Sequence, residues 1–314
     1  MTPMTDQYER SAEFVDIMLA AHWSALAPGL VEALHGSVGP IVDVGAGGGH
    51  GTRVIAQAVP DAEVVAVEPS PALRSVLLAR VNESPELRDR VTVLPDGLLH
   101  AELPPQVGAV VAMNVIGHFT PAERHVVWDL LIRRLLPAGR AVVNLQPPAA
   151  PVQVPQARFS DLRIGRRRYE GWGRAEPAGP DQITWHMTYR TFQDGHLTEE
   201  TAVEYAWWVL GEDRLKAELG EHGLRLDPTG PAELGMYVIT RAPEQPGVAV
   251  TADARVCVGA GQCVLAAPDV FDQDAETGLV VLLDEAPPTP LADAVRRAAH
   301  RCPSGAVTVR NEVR

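Results

Sequence analysis

Three cysteines, Cys257, Cys263 and Cys302, are the whole complement of the chain, and a proline follows the last of them. A short run of closely spaced thiolates with a distant Cys-Pro pair is typical of the ligands of an iron–sulfur cluster. The middle cysteine of that run is absent, and Ala260 stands in its place. Three thiolates therefore predict a [3Fe-4S] cluster. The alternatives are a zinc site with a fourth ligand such as His300, or inert buried thiols.

A glycine-rich turn is the second feature with chemical meaning. Residues 43–49 read Asp-Val-Gly-Ala-Gly-Gly-Gly, between an apolar segment and a helical one. Such a turn presents backbone N–H groups and a helix N-terminus to a ligand. The dinucleotide fingerprint requires a glycine where His50 stands, so that pattern fails. Glu68 ends the next apolar segment. Taken singly, the glycines fit a plain turn and Glu68 a surface carboxylate, but their order and spacing favour a cofactor site.

The elements that must position these residues alternate between strands and helices. Short apolar segments predict strands at 41–44, 64–67, 91–94, 110–113 and 140–144. Helical patterns lie between them at 52–59, 72–81 and 121–136. This alternation predicts an α/β fold with a doubly wound, mostly parallel sheet that carries helices on both faces.

The flanking segments predict further elements and two domains. The pattern over 6–35 predicts two short N-terminal helices, divided at Pro28-Gly29. Residues 160–210 predict an antiparallel cover with a hairpin at 193–195, followed by a helix at 213–222 and a strand at 236–240. The predicted domains are 1–243 (N-terminal helices 1–39, cofactor-binding core 40–146, substrate cover and last strands 147–243) and a small α+β domain at 248–314.

The segment 40–145 resembles the class I S-adenosylmethionine-dependent methyltransferases, and the resemblance extends more loosely over 1–243. In that family the strand, turn and helix carry an acid and a G-x-G-x-G motif that cradles the methionine end of the cofactor. The residues that the resemblance assigns to the cofactor are Asp43, Gly45 and Gly47 for its amino acid part, Glu68 for the ribose hydroxyls, Asp96 and Gly97 for adenine, and Asn114 for the junction with the substrate.

The methyl acceptor is predicted from a histidine and a group of aromatic residues. His118, shortly after the fourth strand, resembles the cleft histidine of many small-molecule methyltransferases, and we expect it to act as a base or to position the substrate. A capping or packing role is the alternative. Trp172, Trp185 and Tyr189 cluster in the cover segment and predict an apolar substrate wall, which Trp23 would close from the other side. An ordinary strand core is the alternative for these aromatic residues.

The tail resembles the small single-cluster ferredoxins that deliver electrons to cytochromes P450 in actinomycetes, over residues 249–309. The resemblance implies that the three cysteines bind the cluster and that a cytochrome P450 or a ferredoxin reductase is the redox partner. The chain is thus predicted to methylate a small aromatic or hydrophobic acceptor in specialised metabolism, with an attached electron-transfer domain. The rival hypothesis is an electron carrier whose first domain is a non-catalytic docking scaffold. A cluster with a purely structural role is a third possibility.

Composition limits the other partners. The net charge is −13 and the chain has a single lysine, so a nucleic-acid substrate is not expected. The residues show neither a secretory signal nor an apolar run long enough to span a bilayer, which predicts a cytoplasmic protein without a membrane partner. The sequence makes no prediction of oligomeric state.

Overall fold

The computed structural model describes residues 6–243 and 248–310 of the 314-residue chain. The chain divides into two compact units, Met1–Ala242 and Pro243–Arg314, called domain 1 and domain 2 below. The helices of domain 1 are α1 (Ala12–Ala33), α2 (His50–Ala58), α3 (Pro71–Glu83), α4 (Pro85–Arg90), α5 (Pro121–Arg134) and α6 (Glu212–Glu221). Its strands are β1 (Ile41–Val44), β2 (Val64–Val67), β3 (Val91–Leu94), β4 (Val107–Ala112), β5 (Leu135–Asn144), β6 (Val154–Ile164), β7 (Arg167–Pro177), β8 (Gln182–Gln193), β9 (His196–Trp208), β10 (Leu224–Pro228) and β11 (Met236–Arg241).

The main sheet has seven strands in the order β10-β11-β5-β4-β1-β2-β3. Strands β1 to β5 are parallel, and β11 and β10 add to β5 in antiparallel pairs. This confirms the predicted doubly wound, mostly parallel sheet. Strand β10 was not predicted, because charged residues and a proline interrupt its apolar pattern.

The central strands are apolar on both faces because helices cover both sides. Val42 and Val44 of β1 pack into one core with α5 and α6, whereas Ile41 packs into a second core with α1, α2 and α3. The strands end together at one edge of the sheet. That edge is where the glycine turn, Glu68 and Asn114 must meet.

Helix α1 differs from the sequence predictions in two respects, its continuity through Pro28 and the length of its apolar run. It is a single helix with Pro28 inside it, not two helices divided there. Proline removes one backbone hydrogen bond, at a cost of about 3 kcal/mol, but Leu26 and Leu30 are fully buried on either side and hold the helix against the core. In the described part of the chain, α1 is also the one helix long and apolar enough to cross a membrane by length and composition, with a mean hydropathy of 1.4. A buried core helix passes the same test.

The antiparallel strands form a second sheet of domain 1, in the order β6-β7-β8-β9. The predicted hairpin at 193–195 is confirmed, with Asp194 and Gly195 both at positive φ. One part of this sheet packs on α1, where the ring of Tyr189 stacks on Phe14 at 5.1 Å, and Met18 belongs to the same cluster.

Domain 2 is small and contains both helices and strands. Its elements are β12 (Ala249–Ala252), α7 (Gln262–Ala266), β13 (Phe271–Gln273), β14 (Val280–Leu282), α8 (Ala292–Arg301) and β15 (Val307–Arg310). The strands pair as two antiparallel ribbons, β12 with β15 and β13 with β14. Their apolar sides enclose one core around Phe271 and Val295.

Candidate functional site

The glycine turn between β1 and α2 has the conformation that its sequence predicts. Gly45, Gly47 and Gly49 have φ values of 61°, 57° and 89°, in a region that residues with a side chain rarely adopt. A Cβ atom at Gly45 would lie 2.7 Å from Cγ2 of Val115. The turn therefore requires glycine on both backbone and steric grounds.

Glu68 lies beside this turn and is held by backbone groups. Its Oε2 accepts a hydrogen bond of 2.7 Å from the N–H of Gly47, and its Oε1 accepts one of 2.8 Å from the N–H of Ser70. Burial raises the pKa of this carboxyl, against the lowering effect of these two hydrogen bonds. Asp6 approaches from the N-terminal segment, where its Oδ2 accepts a hydrogen bond of 2.8 Å from Ser70 Oγ.

A cavity of about 490 Å³ opens at this edge of the sheet. Its lining brings together seven of the sequence-predicted residues, namely Trp23, Gly45, Gly47, Glu68, Gly97, Asn114 and His118. The wall is mainly apolar, with a few polar groups between, which is typical of small-molecule and cofactor sites.

Two residues assigned to the cofactor are not on the cavity wall. Asp43 is buried beneath the turn, where its Oδ2 accepts a hydrogen bond of 2.6 Å from Thr52 Oγ1. Burial raises the pKa of Asp43 to about 7. Asp96 is exposed, and only its neighbour Gly97 lines the cavity. In the structure Asp43 contacts the framework of the turn, not the space that a ligand would fill.

Asn114 follows the last residues of β4 in an unusual backbone conformation, with φ at 60°. Its N–H donates to Oδ1 of Asn144 at 2.6 Å, and its own Oδ1 accepts hydrogen bonds from Asn144 Nδ2 at 2.9 Å and Gln146 Nε2 at 2.8 Å. Positive φ at a residue with a side chain costs free energy and is common at functional sites. This network stabilises the conformation and fixes the amide at the cavity wall.

His118 faces the same cavity from the 3-10 turn that precedes α5. Its Nε2 lies 2.9 Å from Tyr8 Oη, within hydrogen-bond distance, and its ring packs edge-on against Trp207 at 4.9 Å. Burial lowers the pKa of His118 to about 4, and burial raises the pKa of the Tyr8 phenol well above its usual value. At neutral pH both groups are therefore uncharged.

Of the four aromatic residues predicted to form the substrate wall, only Trp23 lines the cavity, and the other three lie elsewhere. Trp172 is flanked by the guanidinium groups of Arg158 and Arg190, each 5.9 Å from its ring. Trp185 packs in a small separate apolar cluster, and Tyr189 is buried against α1. None of these three lines the cavity.

The residues at the cavity that carried no assignment in the sequence analysis include Tyr8, Asp16 and His50. Asp16 of α1 accepts hydrogen bonds at 3.1 and 3.2 Å from the Arg80 guanidinium, and its Oδ1 lies 3.2 Å from His50 Nε2. This cluster ties α1 to α2 and α3 beside the turn. His50 directly follows the glycines, a signal that the sequence offers. Tyr8 and Asp16 offer none, because only the fold brings them to the site.

The three cysteines of domain 2 lie around one apolar core. Cys263 is buried, and Cys257 and Cys302 are half-buried against the same core. Burial raises the pKa of Cys263, and its two neighbours add to the effect. Burial opposes ionisation of Cys302 as well, but surrounding backbone N–H groups and a serine hydroxyl hold the pKa of that thiol below its usual value.

The cysteine loop supplies further groups that suit an iron–sulfur cluster. The N–H of Gly259 lies 3.4 Å from Cys257 Sγ, and Gly259 and Gly261 have positive φ. Over residues 6–243 and 248–310, no three His, Cys, Asp or Glu side chains converge closely enough to hold a metal ion. A cluster spaces its ligands more widely than a single ion does, because each thiolate binds a different iron.

Comparisons with known proteins identify the first domain. A family model described as a methyltransferase domain matches residues 42–141. DesVI of Streptomyces venezuelae has a similar structure, with 18% identity, a TM-score of 0.59, and coverage of 73% of this chain and 96% of that chain. CalS10 of Micromonospora echinaspora, an amino pentose methyltransferase solved with S-adenosylmethionine, gives 16% identity, a TM-score of 0.58, and coverage of 77% and 99%. At these identities the two structures show a shared fold.

Comparisons over the second domain show closer relatives. A family model described as a divergent 4Fe-4S mono-cluster matches residues 244–312. Ferredoxin-2 of Streptomyces griseolus is 67% identical over 57 residues, which are 18% of this chain and 89% of that protein. Ferredoxin-1 of the same organism is 55% identical over 64 residues, 19% of this chain and 87% of that protein. Domain 2 therefore belongs to the ferredoxins, domain 1 contains a methyltransferase domain, and the chain is a fusion of the two.

Proposed function

We propose that domain 1 transfers a methyl group from S-adenosylmethionine to a small, aromatic or hydrophobic acceptor in specialised metabolism, and that domain 2 carries electrons for a separate enzyme. The observation that carries the first part is the cavity, on which the glycine turn, Glu68, Asn114 and His118 meet. The three thiols form no disulfide, which suits a reducing compartment, and a cytoplasmic location is therefore part of this proposal.

The residues on the cavity fit S-adenosylmethionine. The turn at Gly45 and Gly47 would receive the amino acid part, because both glycines line the cavity and hold the turn at positive φ. Glu68 would accept hydrogen bonds from the ribose hydroxyls, since a carboxylate has acceptor sites for both. Gly97 has open space at its Cβ position and would lie against adenine. The sulfonium of the bound cofactor supplies the methyl group.

The chain's own contribution to methyl transfer is to align the acceptor with the methyl group of the cofactor and to exclude water. Asn114 and His118 lie on the wall where the acceptor would meet the cofactor, and Trp23 offers an apolar face. With a pKa of about 4, His118 is a weak base at neutral pH. We therefore propose that it orients the acceptor through hydrogen bonding, together with Tyr8. The proposed substrate wall keeps Trp23 and leaves out Trp172, Trp185 and Tyr189, which lie elsewhere.

An amine on a sugar is a second candidate acceptor. A weak base suffices for a neutral amine, because its lone pair attacks without prior loss of a proton. The sugar N-methyltransferase KedS8 shares the fold with a TM-score of 0.53 at 18% identity, and CalS10 is an amino pentose methyltransferase. Their acceptors suggest which compounds to include in a substrate panel.

Domain 2 is proposed to hold a [3Fe-4S] cluster on Cys257, Cys263 and Cys302, with Ala260 at the position that lacks a ligand. Such a cluster would accept and donate one electron at a time. The proposed partners are a ferredoxin reductase as donor and a cytochrome P450 as acceptor, by analogy with the ferredoxin relatives. The rival view, in which domain 1 only binds the cofactor and serves as a docking scaffold, remains the hypothesis to test against.

The test combines binding and turnover on the full chain. Calorimetry should show S-adenosylmethionine binding, lost in Glu68→Gln and retained in Glu63→Gln, an exposed carboxylate just before the same strand. Formation of S-adenosylhomocysteine is then measured against phenols, other small aromatic compounds and amino sugars. Product above background with a phenol or an amine supports the proposal and names the acceptor class. Binding without turnover on any acceptor would favour the scaffold.

A further inference from the structure

Two histidines of domain 1 face each other where α5 meets the end of α6. Nδ1 of His125, in α5, lies 2.9 Å from Nε2 of His222, the residue that follows α6. The two ring centroids are 5.2 Å apart. Neither histidine lines the cavity that carries the cofactor residues. They therefore form a separate feature of domain 1, which we call the histidine pair.

A carboxylate orients one of the two imidazoles. Oδ1 of Asp129, one turn after His125 on α5, lies 2.9 Å from Nδ1 of His222. An ionised carboxylate only accepts hydrogen bonds, so in the neutral imidazole this contact places the proton on Nδ1 of His222 and leaves a lone pair on its Nε2. That lone pair faces His125. Metal-binding histidines are commonly supported in this way, by a carboxylate that accepts from the nitrogen remote from the metal.

The distance between the two facing nitrogens matches one edge of a metal coordination sphere. Imidazole nitrogens bind a divalent transition ion at about 2.0–2.1 Å, so two of them at right angles around the ion are about 2.9 Å apart, against about 3.3 Å in a tetrahedral site. The observed 2.9 Å favours ions that take nitrogen ligands at right angles, such as Ni²⁺ and Cu²⁺. The same distance fits a hydrogen bond donated by His125, which is the alternative.

The framework around the histidine pair is rigid and the surrounding charge is negative. Nη2 and Nε of Arg124 donate to the two carboxylate oxygens of Glu218 at 2.6 and 2.9 Å, and both side chains are buried. This bidentate bond fixes α5 against α6 next to the histidine pair, so little freedom is lost when an ion binds. Oε2 of Glu221 lies 3.9 Å from Nδ1 of His125, and its charge favours a cation there.

We propose that His125 and His222 bind one divalent transition-metal ion of the Ni²⁺ or Cu²⁺ type, which cross-links α5 to the end of α6. Because the described residues bring no third side chain into ligand distance, water completes the coordination sphere. The ion replaces the hydrogen bond between the imidazoles, and the proton of His125 moves from Nδ1 to Nε2. The His125 side chain is 41% exposed, which gives the ion access. The site goes beyond the function proposed above and does not depend on it.

The experiment is calorimetry of the full chain with nickel chloride as the probe. We expect saturable binding of one ion at the histidine pair, with a Kd below about 0.1 mM. His125→Asn and His222→Asn should each weaken this binding by about tenfold or more, since each removes one of the two protein ligands; Asp129→Asn should weaken it about tenfold, because it removes the charge that orients His222. The cysteines of domain 2 also bind metal ions, but every variant contains them, so the differences between variants report on the pair.

Unfolding of domain 1 gives a second readout, because all six tryptophans precede residue 242. With free Ni²⁺ at about a hundred times its Kd, the equilibrium constant for unfolding in urea should fall about a hundredfold. His196→Asn, at an exposed position of β9 in the same domain, is the matched control and should retain both the binding and the stabilisation. The urea midpoint without added metal shows that each variant is folded.

Each outcome has a defined meaning. Binding and stabilisation that are reduced in both variants of the histidine pair and retained in His196→Asn support the site. Equal Ni²⁺ affinity in His222→Asn and the unchanged chain would reject it, and so would equal losses in His222→Asn and His196→Asn. A Kd above about 1 mM in the unchanged chain would also reject the site and leave the two imidazoles joined by a hydrogen bond alone.

Discussion

Replacing His118 by asparagine tests whether the cavity holds its imidazole uncharged. Burial lowers the pKa of His118 to about 4, whereas an unfolded histidine has a pKa of about 6.5. Between these values the unfolded chain binds a proton that the folded chain does not bind. Above pH 6.5, His118 therefore contributes nothing to the pH dependence of the free energy of unfolding. As the pH falls from 6.5 toward 4, it destabilises domain 1 progressively.

The expected magnitude follows from the size of this shift. At about 1.4 kcal/mol per pH unit, a change from 6.5 to 4 corresponds to about 3 kcal/mol. The imidazole lines an open cavity that water can enter, so we reduce the expected effect to about 2 kcal/mol. Between pH 7.5 and 4.5, the free energy of unfolding of His118→Asn should fall by about 2 kcal/mol less than that of the unchanged chain.

Urea unfolding followed by tryptophan fluorescence measures this difference. All six tryptophans precede residue 242, so the signal reports on domain 1 alone. Asp43 has the opposite effect, because its raised pKa makes domain 1 more stable as the pH falls from 7, but it is present in both proteins and cancels. His35→Asn, at an exposed position, is the matched control. If the free energies of unfolding of the His118 variant and the unchanged chain change in parallel with pH, the assignment of a buried neutral imidazole is refuted.

Three further changes test other parts of the molecule. Gly45→Val should abolish S-adenosylmethionine binding in calorimetry, because its Cβ would lie 2.7 Å from Val115 Cγ2; unchanged affinity would reject the proposed cradle. Arg124→Met should lower the free energy of unfolding of domain 1 by about 3 kcal/mol, because the buried Glu218 loses its bidentate partner. The double variant with Glu218→Met should recover most of that loss in urea titrations. Ala260→Cys should raise the iron content from about three to about four atoms per chain and remove the half-integer-spin paramagnetic signal of the oxidised cluster; unchanged iron and spectrum would count against a [3Fe-4S] cluster.

Much of the fold was predictable because its determinants are local. Strands β2 and β4 read as continuous apolar segments, and β1 is interrupted only by Asp43, since helices cover both faces of a parallel sheet. Parallel strands end at a common edge, so the order of glycine turn, Glu68 and Asn114 along the chain already places them together. The division of α1 at Pro28 was wrong, because burial of its neighbours outweighs the local cost of proline.

Tertiary structure alone decided which residues from distant parts of the chain meet at the cavity. Tyr8 meets His118 across 110 positions of sequence, a pairing for which no local pattern exists. In the antiparallel sheet, successive residues alternate between faces, so strand register sends Tyr189 against α1 and Trp172 to the side of Arg158 and Arg190. Composition could show that aromatic residues cluster in that segment, but not which face they occupy.

The amino-acid sequence by itself determined the parallel sheet, the glycine cradle with its acidic neighbour, and the three thiols of a ferredoxin. These depend on residue type and on spacing within single elements or between successive ones. Tertiary structure decided which groups share the cavity, which carboxylates are buried away from it, and that His118 is neutral. Those properties depend on burial and on contacts between distant segments, because desolvation acts only after the chain has packed.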